Sequence, residues 1–118
     1  MDEQAFQNRT KKLAVRVIKM SEALPKSWAA EVIGKQIVRS SSSVGSNYRA
    51  ACRAKSKPDM IHKLKIVEEE ADETLFWLEL LIESDLVAES RLKELMKETD
   101  ELLAMTVASI NTLRGRQS

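Results

Sequence analysis

His62, the one histidine of the sequence, stands three residues after Asp59, which puts a carboxylate and an imidazole on one face of any helix that holds both. In four-helix proteins such spacing serves di-metal carboxylate centres, which need a Glu-x-x-His motif on two helices and a further Glu on each of the other two. One histidine leaves half of that ligand set unfilled, and one Cys with one His makes no zinc pattern, so no metal is expected. Glu68, Glu69, Glu70, Asp72 and Glu73 offer carboxylates for acid and base work. Consecutive helical side chains point in different directions, however, and this run reads as a solvated or interface face. Cys52 and the serines at 40 to 43 have no histidine near them in sequence to activate a nucleophile, and Cys52 reads as a small buried residue of helix two. Gly34, Gly45 and Gly115 are isolated, so no loop cradles a phosphate. Nothing here assembles a catalytic set or calls for a cofactor, and a non-enzymatic protein is the expectation.

The cations are a better lead. Lys11, Lys12, Arg16 and Lys19 follow one segment, while Lys35, Arg39, Arg49, Arg53, Lys55 and Lys57 follow the next. Residues 1–57 hold twelve Lys/Arg against four Asp/Glu, a charge of +8, and residues 58–118 hold seven against fourteen, a charge of −7, so the net +1 describes neither half. Two readings stand side by side: the halves attract one another within or between subunits, or the basic half faces a polyanion. Backbone phosphates need little more than such cations on one surface, and Lys12, Arg16, Arg39, Arg49 and Arg53 are the chosen candidates. Tyr48 is the only stacking group among them, so any nucleic-acid binding is expected to be weakly sequence-specific.

The elements that carry these residues follow from composition and period. Three Gly, two Pro and 4% aromatics in 118 residues favour helices over sheets. A lone cysteine, a polar N-terminus and the lack of any stretch near the roughly 20 apolar residues of a membrane span point to a cytoplasmic protein. Helix one is expected at about 3–24, with Phe6, Leu13, Val17, Met20 and Leu24 on one side and Pro25 as its stop. Helix two is expected at 28–54 behind an N-cap at Ser27. Its centre, Ser40 to Asn47, reads as a loop by propensity alone, yet Ile33, Ile37, Ser40, Val44, Tyr48 and Ala51 keep one register through it. Small residues there would let a neighbouring helix approach closely. Helix three is expected at 58–83 behind Ser56, and helix four at 89–113, followed by a frayed tail over 114–118. Short links make neighbours antiparallel, so the chain is read as one all-α, up-down-up-down four-helix bundle domain over 1–118. On helix three, Ile61, Ile66, Phe76, Trp77, Leu80 and Leu81 spread beyond the main stripe; Phe76, Trp77, Leu80 and Leu81 are assigned to a subunit interface.

The segment from Gln36 to Arg49, QIVRSSSSVGSNYR, resembles the signature of the four-helix bundle proteins encoded by intervening sequences of bacterial 23S ribosomal RNA genes. Gln36, Arg39, Ser40, Ser43 and Asn47 match that family's polar pattern, and the stretches Met60 to Glu73 and Trp77 to Leu81 resemble its third helix. The family usually has Glu-Gly or Glu-Ala soon after the Asn, where this chain has Ala50-Ala51, so no role of that Glu passes to Ala50. The resemblance implies a cytoplasmic homo-oligomer, typically a pentameric ring, with no established enzymatic activity. It also implies kinship with accessory proteins of diversity-generating retroelements, which bind nucleic acid and a reverse transcriptase. The leading expectation is an oligomeric bundle that binds RNA or DNA backbone, and the alternative is a ring-shaped protein scaffold whose charges form subunit contacts.

Overall fold

The computed structural model describes residues 2–115, and the part of the expected tail at 116–118 lies outside them. The chain forms α1 (Glu3–Glu22), α2 (Trp28–Cys52), α3 (Lys57–Glu83) and α4 (Glu89–Leu113). Each helix packs on its neighbours in sequence, and α4 returns to close on α1, giving an all-α four-helix bundle of 45 × 24 × 20 Å. Helices of 25 to 27 residues at about 1.5 Å per residue account for most of the long dimension.

Helix starts follow local capping chemistry. Asp2, Ser27 and Ser56 each sit in extended backbone and accept from an orphan amide two or three residues on, those of Gln4, Ala30 and Asp59. Helices α1 and α2 end two residues before the expected bounds, because Ala23 and Arg53 leave the helical register and turn their amides onto carbonyls three residues back. The end of α3 has both bonds of a Schellman motif: the Asp85 amide donates to Ile82 and the Leu86 amide to Leu81, each at 3.0 Å. That motif needs a left-handed residue, and Asp85 takes the place with φ at 60°, where a side chain is costly.

The interior is lined by Phe6, Leu13, Val17, Ile37, Val44, Leu64, Val67, Leu78, Leu81, Leu92 and Leu102, all at most 1% exposed. Burial of each such side chain stabilises the fold by about 1.5 to 3 kcal/mol before conformational entropy is counted. Leu81 is thus a core residue, and its assignment to a subunit interface is corrected: at 0% exposure it has no surface left to offer. Trp77 and Leu80 lie half-buried against the core, whereas Phe76 stands 53% exposed and meets Trp77 edge to face.

Six hydroxyl residues share this interior: Thr10, Ser40, Ser41, Thr74, Thr99 and Thr106. Each turns its oxygen back onto a carbonyl three or four residues earlier in its own helix, at 2.8 to 3.3 Å. The serine run therefore stays helical, since the hydroxyls that compete with helix in water here have a helical carbonyl as their acceptor. Ser40 also meets Thr74 across the α2–α3 contact at 2.9 Å, and Gly45 lies against the Thr10 backbone on the α1 side. Small residues thus bring α2 close to both neighbours.

The α1–α4 contact is the least extensive of the four, and Arg9 bridges it. Its guanidinium donates to Glu98 at 2.8 and 3.1 Å and to Glu101 at 2.9 Å. The bond from Arg9 holds the Glu98 carboxyl below the usual carboxylate range, with Arg16 and Lys12 adding to it. Arg9→Ala should lower urea stability at pH 7 by about 1 to 2 kcal/mol. Because the folded Glu98 titrates below its unfolded value near 4.3, the gap between wild type and variant should be full above that pH and close as the pH falls through the lowered folded value. A gap that is flat with pH would show that the bond adds nothing. Asp85→Gly, which frees the left-handed position of a side chain, should raise stability by about 0.5 to 1 kcal/mol in the same assay.

Candidate nucleic-acid interface

The basic candidates sit on three different faces. Arg39 projects from α2 over the α2–α3 seam, where Nη1 lies 3.1 Å from Glu70 and Nη2 contacts Glu73. Gln36 accepts from Arg39 Nε at 3.2 Å, and Glu73 also accepts from the Trp77 indole at 3.0 Å. Partial burial alone would pull the guanidinium pKa down, but Glu70 and Glu73 outweigh it and raise it. Arg39 is therefore compensated within its own chain, and the reading of this residue as an open phosphate ligand gives way to that of a partner for helix-three carboxylates.

Lys12 and Arg16 lie along the α1–α4 seam, near enough to Glu98 to stabilise its charge without forming an ion pair among the described residues. A shallow surface pocket there joins Arg16 to Glu94, Lys97, Glu98 and Glu101, so the local field is mixed. Arg9, absent from the candidates, proved the strongest cation of this seam. The signal was present in sequence: Arg9, Lys12 and Arg16 step along α1 by three and four, and Glu94, Glu98 and Glu101 step along α4 by four and three.

The third face is the outer side of α1 and α2. Lys11, Arg49 and Arg53 are exposed here and form no ion pair among the described residues, while Lys35 is paired with Glu31 at 3.2 Å. Gln7, Lys11, Ser42, Ser46 and Arg49 line a cleft of about 200 Å³ between the two helices. Of the five chosen cations, then, Arg49 and Arg53 share a face, Lys12 and Arg16 another, and Arg39 stands apart.

The family-pattern residues divide in the same way. Gln36 and Arg39 belong to the outer α2–α3 network, Ser40 to the buried contact with Thr74, and Asn47 donates back within α2 to the Ser43 carbonyl and hydroxyl at 2.9 and 2.8 Å. Tyr48, expected as a stacking group, is 3% exposed and packs on Phe6 with ring centroids 4.4 Å apart, so no base can reach its face. Burial, with Cys52 beside it, pushes its phenol above the ordinary range. The aromatic surface lies elsewhere, on Trp28 at 81% and Phe76 at 53% exposure. Periodicity did not find Trp28, because a residue in the first turn of a helix has few neighbours to bury it.

Burial also raises the Cys52 thiol, a shift only partly opposed by Tyr48 and Gln7, which leaves it a poor nucleophile. Among the described residues no three His, Cys, Asp or Glu side chains gather as a metal site, and no helix is long and apolar enough to cross a membrane. Arg39→Ala should cost about 0.5 to 1.5 kcal/mol in urea unfolding, since it leaves Glu70 and Glu73 facing each other without their shared cation. A loss indistinguishable from zero would mean that solvent already screens the trio.

The sequence matches the family described as 23S rRNA-intervening sequence protein over residues 2–108. No curated protein matches it. Among solved structures it is similar to a protein of unknown function from the S23 ribosomal protein family of Bacteroides thetaiotaomicron VPI-5482, at 32% identity and a TM-score of 0.87. The likeness covers 94% of this chain and 99% of that one, which extends it to all four helices. With the family matched across nearly the whole bundle, this chain belongs to the 23S rRNA-intervening sequence proteins.

Proposed function

We propose that the protein is a non-enzymatic, cytoplasmic homo-oligomer that binds nucleic-acid backbone through the outer face of α1 and α2. The observation that carries this reading is the distribution of uncompensated charge. The seams of the bundle spend Arg9 and Arg39 on carboxylates, yet Lys11, Arg49 and Arg53 stay exposed and unpaired among the described residues. Cations held open on one face attract phosphates at little cost, because neither partner must first break an internal ion pair. Assembly repeats that face around a ring, and a pentamer is the size proposed from the family resemblance. Repetition raises affinity through effective concentration without any further contact per subunit.

Phe76 supports the oligomer half of the proposal. A phenylalanine with half its surface in water, flanked by the half-buried Trp77 and Leu80, forms the kind of apolar patch that subunit contacts cover. Backbone contacts favour weak sequence preference, and a reverse transcriptase or another protein is a further candidate partner.

Light scattering of the purified protein, with and without a short RNA across about 50 to 200 mM salt, tests both halves together. The expected result is an oligomer that gains RNA mass at low salt and releases it as salt rises, with Phe76→Asp dropping the protein toward its 13.3 kDa monomer. An oligomer indifferent to RNA at every salt concentration would overturn the binding half and favour a protein scaffold. A wild-type monomer would overturn assembly.

A further inference from the structure

Cations on an open surface attract a polyanion without fixing any one phosphate. Two clefts lie between α1 and α2: the one at the α1–α2 turn carries Glu22 and Glu31 beside Lys26 and Lys35, whereas the one between Gln7, Lys11, Ser42, Ser46 and Arg49 carries no carboxylate. The latter arises from two rows of residues that face one another. On α1, Gln7 and Lys11 are one turn apart, and on α2, Ser42, Ser46 and Arg49 follow at spacings of four and three. Gly45 lines the cleft, with Thr10 of α1 close beneath, since a Cβ built there would stand 3.5 Å from the Thr10 carbonyl oxygen. A larger side chain at this position would fill the space between the rows.

The chemistry of the lining is one-sided. Two permanent cations, two hydroxyls and one carboxamide can all donate, and no carboxylate lines the cleft. Lys11 and Arg49 stand on opposite helices and are exposed, with no ion pair among the described residues. Ser46 holds only a long 3.4 Å bond to the Ser43 carbonyl, which an anionic acceptor would readily displace. The volume of about 200 Å³ corresponds to roughly six waters, room for one tetrahedral oxyanion with part of its hydration.

We infer that this α1–α2 cleft seats a single phosphate group between Lys11 and Arg49, with Gln7, Ser42 and Ser46 as additional donors. The inference rests on the proposed polyanion binding for its biological ligand, a phosphodiester of a nucleic-acid strand, but the seat itself is a property of these five side chains. Each subunit then fixes one phosphate in register, and the other cations act as a diffuse field. Lys12, Arg16 and Arg39 contribute little, because carboxylates face them.

The test has two arms. In the first, pyrophosphate is titrated into the full-length protein and followed by amide NMR. Shifts concentrated at residues 7, 11, 42, 46 and 49 are expected, and they should vanish in the Lys11→Ala/Arg49→Ala double variant. Shifts that are absent, or scattered over Lys12, Arg16 and Lys35 as well, would overturn the seat whether or not the protein binds a polymer.

The second arm measures oligothymidylate affinity against salt. The same double variant should lose at least tenfold at low salt, and the slope of log K against log salt should flatten by about 0.7 per occupied subunit, as for one lost phosphate contact on a single strand. Lys12→Ala/Arg16→Ala, which removes equal charge, should lose less than threefold. Ser46→Leu blocks the cleft at unchanged net charge and should resemble the Lys11→Ala/Arg49→Ala variant. Equal losses in the two double variants, or full affinity in Ser46→Leu, would show that diffuse charge suffices and would overturn the inference. Wild-type protein that takes up pyrophosphate at the cleft but no oligonucleotide would overturn the proposed function and leave the seat standing for a free phosphate compound.

Discussion

The bundle depends on α2 remaining helical through its serine-rich centre. This helix packs on both α1 and α3, and its contact with α3 is the most extensive in the molecule. A break at Ser40 to Asn47 would uncouple Ile33 and Ile37 from Val44, Tyr48 and Ala51, and would remove most of one wall of the core. The segment holds because buried hydroxyls find acceptors on their own helix. Serine then acts as a small residue with its polar group already satisfied, and both neighbouring helices can come close. Among the described residues no buried side-chain polar atom lacks a partner, which is the condition for so many hydroxyls to be tolerated inside.

Close packing along α2 also decides where charge goes. On the α3 side the closeness brings Arg39 within reach of Glu70 and Glu73, so a cation from the basic half meets carboxylates from the acidic half. At the α1–α4 seam Arg9 does the same with Glu98 and Glu101, where the contact between helices is least extensive. Partly exposed pairs of this kind add modest stability, and their greater effect is on the external field, since each cancels a charge that the surface would otherwise present. The α1–α2 side has no acidic helix opposite it. Lys11, Arg49 and Arg53 form no ion pair there among the described residues, since both helices come from the basic half of the chain.

The same arrangement gives the protein a defined chemical face. Its thiol is raised by burial, its tyrosine is enclosed, and its histidine stands exposed. What remains at the surface is a set of donors on one side and an apolar patch around Phe76 on another. An apolar patch distinct from the donor face would let the proposed assembly and ligand binding proceed without competing for the same residues.

Much of this was legible in the sequence because helices write their faces locally. The 3-4 spacing of apolar residues gave four helices and most of the core, Ser27 and Ser56 marked two helix starts, and the motif from Gln36 to Asn47 pointed to the family. Charge imbalance between the halves was equally plain, since it requires only counting. Tertiary structure alone decided which cations stay open. Arg39 and Arg49 are alike in one dimension, both exposed arginines on α2, and they differ only in what the adjacent helix presents: two carboxylates in one case, Gln7 and Lys11 in the other. The fates of Leu81 and Phe76 diverge for the same reason, five residues apart on one helix, because rotation about the axis turns one into the core and the other to water. Periodicity fixes which residues share a face, but the partner across that face is set by packing between segments distant in sequence.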